Sequence, residues 1–489
     1  MSIHGFNLVD ILILVVYLAG VVVLGTLLGR KQKDARDYFL ADKSIPWWAV
    51  CFSVVATETS ALTFLSVPAV AYTTDMWMIQ LTIGYLLGRV VIAAVLLPGY
   101  FRGELTTAYA LLEGRFGLRT RRFASIIFMV TRALADSVRV FVAAIPLKLL
   151  TGMPYWQAIM VTGIVTLIYT YYGGLRAVVW VDVVQLVIYV IGGFGALFVL
   201  IHAVPAGWAG IVDAAREADK LRIFHLQGGF ADTSWLWTGL IGGAFLSMAS
   251  HGVDHLIVQR LLAAPSLHQA RKAILWSGAL IIGQFALFLC VGLGLFAFYQ
   301  GQEFRTTDEV FPLFIISEAF PHGLTGLVIA GVLAAAMSTV AGSLNSLASA
   351  ATHDIYAPLA KRENDPEHLM KIGKLFTLFW AIILVGGAIL FQLVAEGAPV
   401  VVIALEVASF TYGGLLGGFL LGVLFKRPDQ RDAMTGIATT IVLMTALWGV
   451  QQFGLIPRLV ANMWFALIGT IITVAVGLVS ARLRRSGNE

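Results

Sequence analysis

Apolar stretches of about 20 residues recur along almost the whole chain, and that single pattern leaves few folds open. A helix of about 20 residues crosses a hydrocarbon layer about 30 Å thick. No water is available there to satisfy backbone N–H and C=O groups, and a helix satisfies them within its own segment. The charge content agrees: only 12% of the 489 residues are charged, against about 25% in soluble proteins. The chain reads as an all-α polytopic membrane protein embedded in a lipid bilayer.

Thirteen spans are expected, at about 8–29, 45–72, 77–101, 122–150, 155–172, 178–204, 235–262, 272–299, 322–351, 371–395, 398–425, 433–452 and 460–482. The first lacks a basic N-terminal flank and is followed by Arg30-Lys31, so it reads as a retained helix rather than a signal peptide. With the N-terminus outside, the inner loops and tail collect 24 of the 33 Lys and Arg, Arg176 and Arg260 among them. The outer loops hold only Arg216, Lys220, Arg222, Arg305 and Arg458. The positive-inside rule then puts the N-terminus outside and the C-terminus in the cytoplasm of a plasma (inner) membrane. The net charge of +5 therefore serves topology and is no sign of nucleic-acid binding. The longest outer segments are about 205–234 and 300–321, the second with a short amphipathic helix from Glu309 to Phe320. Function must reside among the helices.

Polar residues inside spans are costly and default to functional candidates. The second span carries Thr57, Glu58, Thr59, Ser60 and Thr63 near its middle. That cluster favours a broken helix, whose freed backbone groups can serve ligands where they line a cavity. The seventh span is similarly interruptible, with Gly242-Gly243, Ser247, Ser250, His251 and Gly252. Two such spans, five apart, suggest two five-helix repeats with a site at their interface. The fourth span places Arg132, Asp136 and Arg139 on one helical face. Either these pair within the helix, or one arginine is left to hold an anionic group. Asp182 at the start of span six reads as an interfacial carboxylate paired with Arg176 or another inner-loop base.

Other chemistries lack their signatures. His251 and His255 stand at i and i+4, but Gly252 occupies the place of the glutamate that a catalytic zinc motif needs. Cys51 and Cys290 give neither metal spacing nor a disulfide framework. No glycine loop ending in Gly-Lys-Ser/Thr occurs. No nucleophile–base pair emerges, so an enzyme is not expected.

Within the ninth span, Ala334 to Ser346 carries hydroxyls and an amide where lipid would favour leucine. Ala335, Ser338 and Thr339 share one helical face. Small and hydroxyl residues let two membrane helices pack closely. The same oxygens, with a carbonyl from Ala335, also make a small hard-oxygen site for a cation.

These residues, taken in order, resemble the sodium/solute symporters, a family that includes sodium-coupled sugar, proline and sialic acid carriers. The resemblance runs over nearly the whole chain. It rests on Asp37-Tyr38-Phe39-Leu40, Trp47-Trp48, Tyr172-Gly173-Gly174 with Trp180 and Asp182, and Asp254 to Arg260. Its most specific carriers are the run from Gly326 to Tyr356 and Ser409 to Gly417.

The resemblance implies a LeuT-type five-plus-five inverted repeat with alternating access. One extra helix and a basic loop (1–44) would precede the repeats (45–234 and 235–432), and two helices and a tail (433–489) would follow. It implies a sodium site made by backbone oxygens of Ala56, Thr59 and Ala335 and side chains of Ser338 and Thr339. Some relatives similar to the sialic acid carrier have a second sodium site at positions matching Asp182, Ser338, Ala341 and Gly342. Ala341 and Gly342 have no side-chain oxygen, so one sodium per cycle is expected, with Asp182 kept as an ion-path candidate. Substrate contacts are expected from Glu58, Ser60, Thr63, Gln80, Arg132, Asp136, Arg139, Ser247 and His251, with Ser250 beside them. The arginine that binds carboxylate in the sialic acid carriers aligns with Ala135 here.

The expected function is sodium-coupled uptake of a small polar solute by a monomer. A carboxylate-bearing or zwitterionic solute is favoured over a neutral sugar, since Glu58 could meet an ammonium and an arginine a carboxylate. A solute sensor of the same fold is the other class, weakened by the lack of an attached signalling domain.

Overall fold

The computed structural model describes residues 7–29, 32–304, 307–394, 400–452, 457 and 459–486. Arg30, Lys31, Arg305 and Arg458, which enter the charge count above, lie outside them. The main helices are α1 (Leu8–Gly29), α2 (Trp47–Glu58), α3 (Ala61–Thr73), α4 (Met78–Val91), α5 (Leu118–Thr151), α6 (Tyr155–Ala203) and α7 (Gly243–Gly252). They continue with α8 (His255–Leu262), α9 (Leu267–Tyr299), α10 (Leu324–Ala350), α11 (Pro366–Val394), α12 (Val400–Leu424), α13 (Gln430–Gln452) and α14 (Phe465–Ser486). Among the described residues, each of the thirteen expected stretches is largely helical. Among the described residues, eight helices are long and apolar enough to cross a membrane, or nine counting the bent pair Ala35–Lys43 and Trp47–Glu58.

The helix α10 is the axis of the molecule: almost all of its residues are buried, against α6 above all and also against α5, α1, α11 and α2. Its alanines, glycines and serines permit that close approach. Asp10 on α1 fixes its beginning. One Asp10 carboxylate oxygen accepts from the Gly323 N–H at 2.7 Å and the Gly326 N–H at 2.9 Å. Those are orphan donors of a helix N-terminus, now met by an anion where the dipole favours one.

Both interrupted spans are present. Between α2 and α3, Thr59 and Ser60 take extended backbone, and Ser60 starts α3 with a capping box to Thr63. Between α7 and α8, Asp254 is extended and its side chain accepts from the Leu256 N–H at 2.9 Å.

Two boundaries differ from the sequence reading. Spans five and six form one helical run, α6, kinked at Gly174, whose φ of 55° and ψ of −157° suit glycine. The outer-loop helix is shorter than Glu309 to Phe320: a 3₁₀ turn, Thr307–Glu309, leads into a helix at Val310–Ile315. It stops there because the Ser317 hydroxyl and N–H both turn back to the Phe314 carbonyl, at 2.8 and 3.1 Å.

Asp10→Ala removes both bonds to the start of α10 and should cost about 1–2 kcal/mol. A thermal-unfolding comparison in detergent checks this, Asp10→Asn being expected to keep part of the loss back.

Candidate functional site

The break after α2 generates the first element of the site. In an unbroken helix the Ala56 carbonyl would accept from the Ser60 N–H; here that N–H faces Thr63 Oγ1 instead, at 3.4 Å. The last carbonyls of α2 are thereby freed. The Thr59 and Thr57 hydroxyls return to the Val55 and Ser53 carbonyls, at 2.8 and 2.7 Å. Across from this end lies α10. Ala56, Thr59, Ala335 and Ser338 line one small cavity of about 10 Å³, joined by Gln185, Leu186 and Tyr189 of α6. That is close to the space one water-sized sphere needs. Thr339 is not in the lining, but its hydroxyl lies 3.2 Å from the Ala335 carbonyl oxygen and 3.4 Å from that of Thr57.

Gln185 was not singled out from the sequence. Its side chain is 1% exposed and its Nε2 donates to the Tyr17 hydroxyl at 3.0 Å, while its Oε1 has no hydrogen-bond partner. A buried carbonyl without a donor is costly, and a cation in the adjoining cavity is one way to satisfy it. The donor set is all oxygen, the chemistry a hard cation takes. The spacing of Gln185 one turn from Asp182 was the available signal.

Asp182 is not the interfacial carboxylate expected. It is fully buried, because the kink at Gly174 carries the second half of α6 inward; Arg176 instead faces Asp37 at 3.4 Å. Asp182 Oδ1 accepts from the Ser338 hydroxyl at 2.6 Å, and Oδ2 from Ser53 at 2.5 Å and Arg260 at 3.1 Å. Arg260, assigned to an inner loop from sequence, is likewise fully buried, within α8.

The polar face of α5 is resolved by a partner from another span. Asp136 accepts from Arg132 at 2.6 Å, from Arg139 at 2.8 Å, and from Ser343 of α10. Arg132 also donates to Asp254 at 3.0 Å, and Tyr412 of α12 to the same oxygen at 2.8 Å. Arg132 is thus no surplus charge: two arginines meet two aspartates. Arg139 alone of the four is part-exposed, at 29%.

The third cluster joins Glu58 at the end of α2 to Arg89 of α4 and His251 of α7. Glu58 pairs with Arg89, and His251 lies 3.3 Å from the same carboxylate. Close approach of α4 to α7 and to the helical turn before it (Thr238–Gly242) makes this possible: a Cβ at Gly84 would sit 2.2 Å from the Gly239 carbonyl oxygen, and one at Gly88 2.3 Å from that of Ala244. Arg89 donates to Ser277 at 2.8 Å and Ser250 meets the His251 ring at 2.8 Å. Ser247 is buried on α7, its hydroxyl without a hydrogen-bond partner. Gln80 does not join this cluster. It lies nine residues, about 13 Å of helix, before Arg89, and its amide binds the Ser234 carbonyl and the His225 N–H in the outer segment.

A broken span whose freed carbonyls face hydroxyls on a buried helix defines an ion-coupled membrane carrier. The sequence pattern of the Sodium:solute symporter family matches residues 38–440, and the chain belongs to that family. It is similar to a sodium/sialic acid symporter of Proteus mirabilis, at 30% identity over 99% of this chain and 97% of that one. It is also similar to sodium-coupled monocarboxylate transporter 2 of Bos taurus, at 27% over 91% and 72%. Among solved structures, a substrate-bound, outward-open Na+-coupled sialic acid symporter superposes with a TM-score of 0.87, at 28% identity and 98% of both chains. The protein is a multi-pass, sodium-coupled secondary transporter of LeuT-type fold.

Arg132→Ala leaves Asp136 and Asp254 buried with one cation between them and should destabilise the fold by about 3–5 kcal/mol. Arg139→Ala, at a part-exposed position, should cost well under half of that. Parallel thermal melts of the two purified variants decide the ranking.

Proposed function

We propose that this symporter imports a small carboxylate-bearing or zwitterionic solute with one sodium ion per cycle, as a monomer, and without covalent chemistry. The observation that carries the reading is the small cavity where the open end of α2 meets Ala335 and Ser338. A sodium ion there would be held by the Ala56, Thr59 and Ala335 carbonyls and the Ser338 and Thr339 hydroxyls, with Gln185 Oε1 adjoining. Such an ion ties the end of α2 to α10, and so favours the conformation in which those helices are close. A ligand shifts a conformational equilibrium only through such a difference in affinity.

The solute would lie on the other side of the same break, against Ser60, Thr63, Ser247 and the Glu58–Arg89–His251 cluster. Arg139 is the side chain best placed to hold a carboxylate: it is part-exposed, has one bond to Asp136, and stands one turn from Ala135 on α5. The sialic acid and monocarboxylate relatives both carry acids by name, which supports an anionic solute. A neutral sugar is the second reading, favoured by the internal balance of Glu58 with Arg89, Asp182 with Arg260, and Arg132 and Arg139 with Asp136 and Asp254.

In this reading residues 45–234 and 235–432 are the two repeats, with 1–44 and 433–489 outside them. The N-terminus faces outward and the C-terminus the cytoplasm, across an inner membrane.

Uptake into proteoliposomes, with an acidic and a neutral sugar offered under an imposed sodium gradient, separates the two readings. Arg139→Gln should raise KM for the acidic solute about tenfold, the loss of a charge-assisted contact, and leave half-saturating sodium nearly unchanged. Equal uptake of the acidic solute by Arg139→Gln would sink the anionic assignment.

Sodium should raise the melting temperature of the wild-type carrier. Ser338→Ala with Thr339→Ala should abolish that shift, and Gln185→Leu should move its midpoint to about tenfold higher sodium. A sodium shift that survives the Ser338/Thr339 double variant would place the ion elsewhere.

A further inference from the structure

A groove outside the coupling cavity shares a residue with it. The groove measures about 440 Å³, the size of a small-molecule site. Helix α2 contributes Phe52 and Val55 to it, α6 Val190 and Ile191, and α9 Leu280 and Gly283. Ile191 is 50% and Leu280 38% exposed, and apolar side chains exposed along membrane spans meet lipid tails as apolar as themselves. The groove therefore opens onto hydrocarbon. At Gly283 an added Cβ would meet nothing within 4 Å, so that stretch of α9 leaves the groove unfilled. Leu186 lines both the groove and the coupling cavity.

Among the described residues lining the groove, Gln284 alone has a polar side chain, and it is 6% exposed. Thr59 fixes how its amide is turned. The Thr59 hydroxyl gives its proton to the Val55 carbonyl at 2.8 Å, so toward Gln284 it accepts, and Gln284 Nε2 donates to it at 2.7 Å. The same nitrogen lies 3.3 Å from the Tyr189 hydroxyl. Gln284 Oε1 is left without a hydrogen-bond partner, and an unmet buried carbonyl is costly. Gln284 lies midway along α9, at a depth that phospholipid headgroups do not reach. A donor for Oε1 has to arrive on a molecule that dissolves in the hydrocarbon.

We propose that this groove binds a neutral long-chain alcohol dissolved in the bilayer, its chain along Val190, Ile191 and Leu280 and its hydroxyl donating to Gln284 Oε1. Bound there, the alcohol holds Gln284 and, through the Nε2 bond, Thr59, which lines the coupling cavity. Occupancy thereby favours sodium binding, and by linkage sodium favours the alcohol by the same factor. This coupling rests on the sodium reading above; the groove site does not.

The test uses the purified carrier in nanodiscs of saturated phosphatidylcholine and tetradecanol carrying a photoactivatable diazirine in its chain. Illumination should label peptides of α6 and α9 that line the groove, and unlabelled tetradecanol should compete while tetradecane does not. Gly283→Phe, which fills the groove from α9, and Val190→Trp, which fills it from α6, should each abolish labelling yet keep the sodium-induced rise in melting temperature. Gln284→Leu should erase the preference for tetradecanol over tetradecane. Labelling that survives both filling variants, or equal competition by the alkane on the wild type, would overturn the site. Saturating tetradecanol should lower half-saturating sodium about fivefold in the wild type and leave it unchanged in Gly283→Phe. A labelled wild type with an unmoved sodium midpoint would overturn the coupling alone. A wild type that labels but shows no sodium shift at all would take down the sodium reading and leave the groove site standing.

Discussion

The structure depends on how backbone and charge are satisfied where water is absent. Breaking the second span at Thr59 and Ser60 exposes carbonyls that a continuous helix would have consumed. One helix answers them. From α10, Ala335 and Ser338 line the cavity and the Thr339 hydroxyl lies 3.4 Å from the Thr57 carbonyl. On the same helix Ser338 and Ser343 donate to Asp182 and Asp136. Hydroxyls spaced along a small-residue helix thus connect the broken span to the Asp182 and Asp136 charge clusters.

Those clusters explain how so many ionised groups persist at membrane depth. Each is neutral in itself, with its partners drawn from different spans: α2 with α4, α6 with α8, and α5 with the α7–α8 break. A buried pair contributes little net stability, but removing one partner is expensive. Such pairs therefore specify which helices meet rather than how firmly they hold. They also place charges at both interruptions, where a carrier that alternates between two conformations must move.

Much of this was legible in order along the chain. The span positions, the two interruptions and the oxygen-rich face of Ala335, Ser338 and Thr339 follow from local composition and helical spacing. What failed did so for one reason. The partner of Asp182 was left between Arg176 and the other inner-loop bases, and one arginine of the α5 face was left open as a surplus, because helical spacing pairs only neighbours in sequence; Arg260 and Asp254, which meet Asp182 and Arg132, lie 78 and 122 residues away. Gln80 looked like a site residue because it is polar within a span, but its amide anchors the outer segment.

Sequence alone determined that the chain is an all-helical membrane protein, where two of its spans break, and that Ala335, Ser338 and Thr339 share one helical face. Those are properties of segments, set by apolar length and by hydroxyl and glycine placement within a turn or two. Tertiary structure decided that Ala56 and Thr59 open on the same cavity as Ser338, that Gln185 adjoins it with an unsatisfied carbonyl, and that Arg260 fills the space beside Gly342. Those are properties of packing between distant segments, where the cost of an unpaired buried charge selects the partner.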